Sequence, residues 1–169
     1  MMKVDPITLS VVRGILETTQ REMTLSLEKT SRSSVLNLAR DYSTSLFNAT
    51  PEMILQGQDI PIHLGSLMPA MKAVANFFSG EIHEGDLILH NDPAYNGSHI
   101  LDMCIYKPVF FEGKHVFWTV CKGHLTDAGG PVPASYNPEA TEIFAEGLRV
   151  PPIKIWEKGR QRDDILNMI

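Results

Sequence analysis

The sequence predicts an α+β fold in which helices are mixed with antiparallel hairpins. Apolar residues recur at helical spacing near the N-terminus, and short alternating or apolar segments replace them after Gly80. Turns rich in glycine, proline and asparagine separate those segments. No internal repeat is visible, so we expect residues 1–169 to form a single domain.

The first helix is predicted to begin at Pro6 and to run to Leu27 or Glu28. Asp5 can cap its first turn, and proline at the first helical position forfeits no hydrogen bond. The apolar residues that support this helix are Ile7, Val11, Val12, Ile15 and Leu16. A polar turn is expected at residues 30–34.

A hairpin and a second helix are predicted next. Residues 41–47 are rich in β-formers, and residues 53–56 can return as the partner strand across a turn at 48–51. Ser66 is predicted to cap the second helix, and Gly80 to end it. Pro69 would then lie in the first turn, where proline is tolerated.

The remaining elements are mainly strands. We expect strands at residues 86–90, 103–111 and 116–122, with a polar loop over residues 91–98. A third helix is predicted from Asn137 to Gly147, because asparagine followed by proline and glutamate is typical of a helix start. Prolines keep residues 150–156 extended, and residues 163–169 are expected to begin a further helix.

Composition excludes several functional classes. The formal net charge is −5, and the basic residues are scattered, which argues against nucleic-acid binding. No apolar run approaches the roughly 20 residues of a membrane span, and the N-terminus has no apolar signal core, so we expect a cytoplasmic protein. Cys104 and Cys121 lack CxxC spacing and are expected to be reduced, buried residues.

Two imidazoles and a carboxylate form a candidate metal site. His99, Asp102 and His124 are a donor set that divalent transition metals commonly use. Residues three apart on a strand point to opposite faces, so His99 and Asp102 need a turn between them. Gly97 and Ser98 favour such a turn.

The position of His124 depends on the loop that joins the two long strands. A two-residue loop at residues 112–113 would place His124 opposite Leu101, whereas a three-residue loop through Lys114 pairs it with Asp102. Directly paired residues have Cβ atoms about 5 Å apart, within reach of one ion. We therefore predict the three-residue loop. Isolated histidines are more often hydrogen-bonded surface residues than ligands, and spacing leaves that interpretation open.

Several segments together resemble the hydantoinase B/5-oxoprolinase family, which includes N-methylhydantoinases, 5-oxoprolinases, caprolactamase and the large subunits of acetone carboxylases. The segments are residues 5–9 (DPITL), 40–43 (RDYS), 60–66 (IPIHLGS), 85–93 (GDLILHNDP), 97–102 (GSHILD), 123–130 (GHLTDAGG) and 140–149 (ATEIFAEGLR). The resemblance covers only the N-terminal part of a family member. It implies that residues 1–169 are the N-terminal portion of a larger hydantoinase B-like subunit.

The resemblance also implies functional residues. In the family, an aspartate of the RDYS-like segment joins the HxxD pair and the later histidine around zinc or manganese, which implicates Asp41, His99, Asp102 and His124 as ligands. His63, Asp92 and Asp127 lie in matching segments and would orient the ligating imidazoles. Of these, His63 and Asp127 are the catalytic candidates, with Asp127 as a base.

The activity that the resemblance implies is ATP-dependent opening of a cyclic amide such as a hydantoin, 5-oxoproline or a lactam. A hydantoinase A-like ATPase subunit would phosphorylate the amide oxygen, giving a hetero-oligomer in which the metal-binding subunit lets water attack the activated carbon. The chain has no GxxxxGK[ST] loop, in keeping with ATP chemistry on the partner. The metal would either lower the pKa of water or polarise the substrate oxygen. Two alternatives are an ATP-dependent ketone carboxylase subunit and a metal-free module that docks the ATPase.

Overall fold

The computed structural model describes residues 5–58, 60, 62–132 and 137–169, which form helices and a seven-stranded sheet. The helices are Pro6–Thr30 (α1), Ser34–Asn37 (α2), Ile62–Phe77 (α3) and Asp163–Leu166 (α4). The strands are Tyr42–Asn48 (β1), Met53–Gln56 (β2), Leu87–His90 (β3), Asp102–Phe111 (β4), Lys114–His124 (β5), Ile153–Glu157 (β6) and Arg160–Gln161 (β7). The predicted α+β class is confirmed.

The sheet has the strand order β2-β1-β5-β4-β3-β6-β7, and every neighbouring pair is antiparallel. The long β4–β5 hairpin lies at its centre. Side chains alternate between faces along each strand, so Trp118, Val120, Lys122 and His124 share one face of β5. The other strands align with that face through the pairs Phe47 with Trp118 and Ser43 with Lys122.

Helix α3 covers this face and forms the main hydrophobic core. Leu67, Met71 and Val74 are fully buried in one cluster with strand residues that include Trp118 and Tyr106. Each buried side chain of this size contributes roughly 1.5–3 kcal/mol to folding. The apolar core therefore occupies the middle of the face and leaves its end to the polar residues of β4 and β5.

Helix α1 packs on β1 from the opposite face. Asp5 accepts a hydrogen bond from the backbone N–H of Thr8, as its predicted role as N-cap requires. Gln20 and Thr24 hydrogen-bond Thr44, whose side chain alternates with that of Ser43. The predicted first helix is confirmed, although it runs on to Thr30. Across the described residues, no helix is long and apolar enough to cross a membrane.

The predicted start of the second helix is wrong. The helix begins at Ile62, four residues before Ser66, and Pro69 lies inside it. Ser66 is no cap, since its hydroxyl donates to the carbonyl of His63 within the helix. Packing of the apolar face against the sheet outweighs the backbone hydrogen bond that Pro69 cannot donate to Gly65.

The predicted third helix is also wrong. Residues 137–147 hold only a 3-10 turn, Ile143–Ala145, and the side chain of Asn137 closes a local turn by accepting from the N–H of Glu139. Gly147, the residue expected to close this helix, has a φ of 137° and not the left-handed value of about 60° typical of a closing glycine, and the N–H of its neighbour Leu148 donates to the Ala128 carbonyl. The sequence patterns also missed the short helix α2 and strand β7.

The predicted three-residue hairpin loop is wrong, but the predicted pairing of Asp102 with His124 is confirmed. Phe111 pairs with Lys114, so the loop is the two residues Glu112 and Gly113, both with positive φ. The register then shifts because Val116 has no partner of its own and forms a β-bulge. The bulge restores the pairing of Asp102 with His124.

The two cysteines face opposite sides of the sheet from neighbouring strands. Cys104 is buried and Cys121 half-buried, and both are free thiols. Burial raises the pKa of each thiol to about 11, so both are protonated and unreactive at neutral pH.

Candidate metal centre

The candidate ligands meet where three strand ends lie side by side at the start of α3. Asp41 directly precedes β1, Asp102 begins β4, and His124 ends β5. The backbone N–H of His124 donates to the Asp41 carbonyl at 3.0 Å, and that of Asp102 donates to the His99 carbonyl at 3.0 Å. The second bond closes the turn that the sequence required between His99 and Asp102.

Three of the side chains converge on one point. The Asp102 Oδ1 lies 2.9 Å from His99 Nε2 and 3.2 Å from His124 Nδ1. One nitrogen or oxygen of each residue lies within 4.8 Å of those of the other two. Two atoms each 2.0–2.1 Å from a tetrahedral zinc are about 3.3 Å apart, so these spacings suit a shared ion. The donor set therefore fits a divalent metal.

Asp41 and His63 lie at the edge of this cluster. The Asp41 Oδ2 is 3.9 Å from His124 Nδ1, so Asp41 is within reach of the same point. The His63 Nε2 lies 3.6 Å from both Asp41 Oδ1 and Asp102 Oδ2, and its Nδ1 is 3.0 Å from the Ser43 hydroxyl. Burial lowers the pKa of His63, and the nearby Lys122 charge lowers it further. His63 is therefore a neutral imidazole between two carboxylates at pH 7.

Sequence reasoning missed Lys122, a buried cation in contact with the cluster. Its Nζ lies 2.9 Å from Asp102 Oδ2 and donates to the hydroxyls of Ser66 and Ser98. Ser98 in turn donates to the same Asp102 oxygen. Burial alone would raise the pKa of Asp102, but hydrogen bonds from His99, Lys122 and Ser98 outweigh it and hold that pKa well below its usual range.

A signal for Lys122 does exist in the sequence. Trp118 and Val120 precede it at intervals of two, and His124 follows at the same interval. A lysine within an alternating apolar series that ends on a candidate ligand is therefore predicted on the buried face. Lysine is so seldom buried that this pattern alone is weak evidence for a buried cation.

Hydrogen bonds of the Asn91 side chain hold the loop that carries His99 in place. The amide of Asn91 donates to the carbonyls of Ile100 and Leu148, and its side-chain oxygen accepts from the N–H of Val150. Gly97 packs against the Asn91 backbone so closely that a Cβ there would collide with it. The segment 91–102 is thus a rigid support for the candidate ligands.

The carboxylates of Asp92 and Asp127 each accept a hydrogen bond from a backbone N–H. The Asp92 carboxylate accepts from the Ala94 N–H and pairs with Arg149 Nε at 3.1 Å. Asp127 is exposed, three residues beyond His124, and accepts from the Gly129 N–H at 2.7 Å. The structure thus places the Asp92 carboxylate against Arg149, and the role of Asp92 in orienting a ligating imidazole stays a prediction.

Comparison with known proteins gives consistent matches. A family model described as hydantoinase B/oxoprolinase matches residues 5–169. The caprolactamase subunit beta of Pseudomonas jessenii is 73% identical over 169 residues, and 5-oxoprolinase 1 of Arabidopsis thaliana is 30% identical over 155 residues. These alignments cover 100% and 92% of this chain but 29% and 12% of the relatives, so the chain spans less than a third of their length.

Two solved structures share the fold. The crystal structure of the ATP-dependent caprolactamase from Pseudomonas jessenii superposes with a TM-score of 0.93 at 74% identity, covering 99% of this chain and 29% of that one. A nucleotide-free acetone carboxylase gives a TM-score of 0.87 at 22% identity, covering 97% of this chain and 22% of that one. At that identity the second match establishes the fold alone.

Proposed function

This chain belongs to the hydantoinase B/oxoprolinase family, and on that premise we propose that it forms the metal-binding part of an ATP-dependent hydrolase that opens a lactam. The observation that carries the proposal is the convergence of His99, Asp102 and His124 on one point in a chain 73% identical to a caprolactamase subunit. Caprolactam is thus favoured as the substrate over a hydantoin or 5-oxoproline.

We assign Asp41, His99, Asp102 and His124 as the residues that would hold a zinc or manganese ion. Nitrogen and carboxylate donors suit both metals. When bound, such an ion would polarise an oxygen of the substrate or lower the pKa of a water molecule. His99 and Asp41 are the more exposed members, so substrate would approach from their side.

The other side chains would position the metal ligands and transfer protons. His63 is neutral and lies between Asp41 and Asp102, so it can limit the movement of both carboxylates. Asp127 is an exposed carboxylate close in sequence to His124 and is our candidate for the base that accepts a proton from water. Lys122 and Ser98 hold one oxygen of Asp102 and leave the other directed at His99 and His124.

ATP would be consumed on another subunit. An amide resists water because its resonance is lost as a poor leaving group departs, and phosphorylation of the amide oxygen removes that resistance. The relative at 73% identity is named as a subunit beta, in keeping with a hetero-oligomer. We propose a hydantoinase A-like ATPase as the partner of this chain.

The experiment is ring opening measured with the protein in its natural length and its co-purifying subunit. ATP-dependent conversion of caprolactam, lost on chelation and restored by zinc or manganese, is expected. His99→Ala should abolish both turnover and the bound metal, whereas His83→Ala, outside the cluster, should leave both intact. Acetone carboxylation without lactam hydrolysis would refute the reaction, and freshly purified protein with no metal affinity would instead favour a docking module.

A further inference from the structure

We propose that Lys122 gives the metal centre a net positive charge and thereby makes it a binding site for a phosphate oxyanion. The inference deepens the function proposed above and rests on the metal centre assigned there.

Lys122 is a fixed cation. Its side chain is 2% exposed, and three acceptors surround its Nζ: Asp102 Oδ2 at 2.9 Å, the Ser66 hydroxyl at 2.8 Å, and the Ser98 hydroxyl. An ammonium group has three donors, so every donor has an acceptor. Lys122 therefore has no donor left to bind a ligand directly, and it acts on the site through its charge.

The charge balance of the cluster follows from this position. Asp41 and Asp102 contribute two negative charges and Lys122 contributes one positive charge, so the described cluster carries −1. Imidazoles that bind a metal do so as neutral ligands. A divalent cation then brings the centre to +1, whereas without Lys122 the same ligands and cation would be neutral.

A centre with an excess positive charge favours an anion as its external ligand. Asp102 is 3% exposed and Lys122 2%, so water screens their charges weakly. Because Lys122 and Ser98 hold Asp102 Oδ2, only Oδ1 faces His99 and His124, and Asp102 fills a single coordination position. A zinc that expands to five ligands, or a manganese with six, then has a position for a further ligand beside the four protein ligands. Phosphate oxygens have the charge and size for that position, and a phosphorylated amide would present them.

The test uses cobalt as a spectroscopic probe in the full-length protein. Inorganic phosphate and a phosphate monoester, phenyl phosphate, are titrated against the visible spectrum of the cobalt-loaded form. Binding of both is expected, and tighter binding of the ester would identify a substrate phosphoryl group rather than released phosphate as the natural ligand. Absence of any phosphate-induced change would overturn the inference.

Two variants of Lys122 test the effect of its charge on phosphate binding. Lys122→Met should weaken phosphate binding by roughly tenfold or more while cobalt binds as tightly as before or more tightly, because the removed charge attracts one ion and repels the other. Lys122→Arg retains the charge and should keep phosphate affinity within about threefold. Equal phosphate affinity in Lys122→Met, parallel loss of cobalt and phosphate affinity, or loss of phosphate alone in Lys122→Arg would each overturn the inference. Failure of the unmodified protein to bind cobalt would instead refute the metal centre itself.

Discussion

Replacing Asp102 by asparagine should destabilise the protein strongly even in the absence of metal. The substitution preserves the shape of the side chain but removes its charge, and the Lys122 ammonium 2.9 Å away remains buried. Asparagine also presents N–H donors toward a site where Ser98 and His99 already donate to Asp102. The variant therefore combines an unpaired buried cation with opposed donors.

The size of the stability loss follows from the burial of both partners of the ion pair. Lys122 and Asp102 side chains are 2% and 4% exposed, and breaking such a pair by removing one partner typically costs about 3–5 kcal/mol. Arg162 and Asp164 form a pair at 2.8 Å with side chains 38% and 63% exposed. For that exposed pair Asp164→Asn should leave the stability almost unchanged.

The assay is urea unfolding of the variants in the presence of a chelator. Asp86→Asn is the second control, since it breaks the buried pair with Lys154 at 2.9 Å, outside the metal cluster. Both buried variants should lose comparable stability, but only Asp102→Asn should lose metal affinity. An Asp102→Asn variant as stable as Asp164→Asn would refute the assignment of a buried charge pair.

The same ion pair makes a prediction about pH. The pKa of Asp102 is held well below its usual range, so the pair stabilises the fold above the unfolded pKa of about 3.9 and loses that contribution as the pH falls further toward the folded value. The stability gap between wild type and Asp102→Asn should therefore be constant from pH 7 to about pH 5 and should shrink below about pH 4. A gap that disappears near pH 6 would indicate that a histidine, and not Asp102, carries the effect.

Three further outcomes are expected. Gly97→Ala should lower the free energy of unfolding by about 1–3 kcal/mol and weaken metal binding, because the added Cβ meets the Asn91 backbone. Gly14→Ala, in open space within α1, should instead raise the free energy of unfolding by up to about 1 kcal/mol, and equal effects of the two variants in urea unfolding would contradict this. Burial lowers the pKa of His90, so below about pH 6.5 the unfolded chain binds a proton that the folded chain does not, and stability decreases as the pH decreases. In unfolding curves measured between pH 7 and pH 5, His90→Gln should reduce this loss of stability, and an unchanged pH dependence would contradict the prediction. Deletion of Val116 removes the extra residue of the bulge and leaves Val109 opposite Phe117 and Asp102 opposite His124, so equilibrium dialysis should still detect bound metal; loss of metal would show that the bulge itself, and not the register, assembles the site.

The hairpin shows where sequence reasoning reached its limit. Asp102 was expected opposite His124, and that pairing is observed, but a bulge at Val116 produces it and not a longer loop. The two-residue turn satisfies the local preference of Glu112 and Gly113, and the bulge lets Trp118 face the core. Such a compromise between turn geometry and core packing is a tertiary effect that turn rules alone do not contain.

The site was only partly predictable for a similar reason. His99, Asp102 and His124 lie on neighbouring strand ends, so spacing and pairing were enough to suggest them. Asp41 precedes β1, which neighbours β5 in the sheet but is distant from it in the sequence, and only family resemblance pointed to this residue. Lys122 was missed because a lysine in a strand is ordinarily solvent-facing, and its burial depends on α3 and on three acceptors from separate segments.

The predicted helices show the same contrast between local signals and contacts from distant segments. The first was predictable because its start is set locally by Asp5 and Pro6. The start of α3 was missed because packing on the sheet overrides the local preference of Pro69, and the proposed helix over residues 137–147 failed because Gly147 must approach Ala128 closely. Contacts from distant segments decide both cases.

The most direct test of the metal centre is an anomalous difference map from a crystal of the metal-loaded, full-length protein. One strong peak is predicted within bonding distance of Asp41, His99, Asp102 and His124, with Lys122 still on the far oxygen of Asp102. A peak bound by other residues, or no peak in a protein that turns over its substrate, would contradict the account.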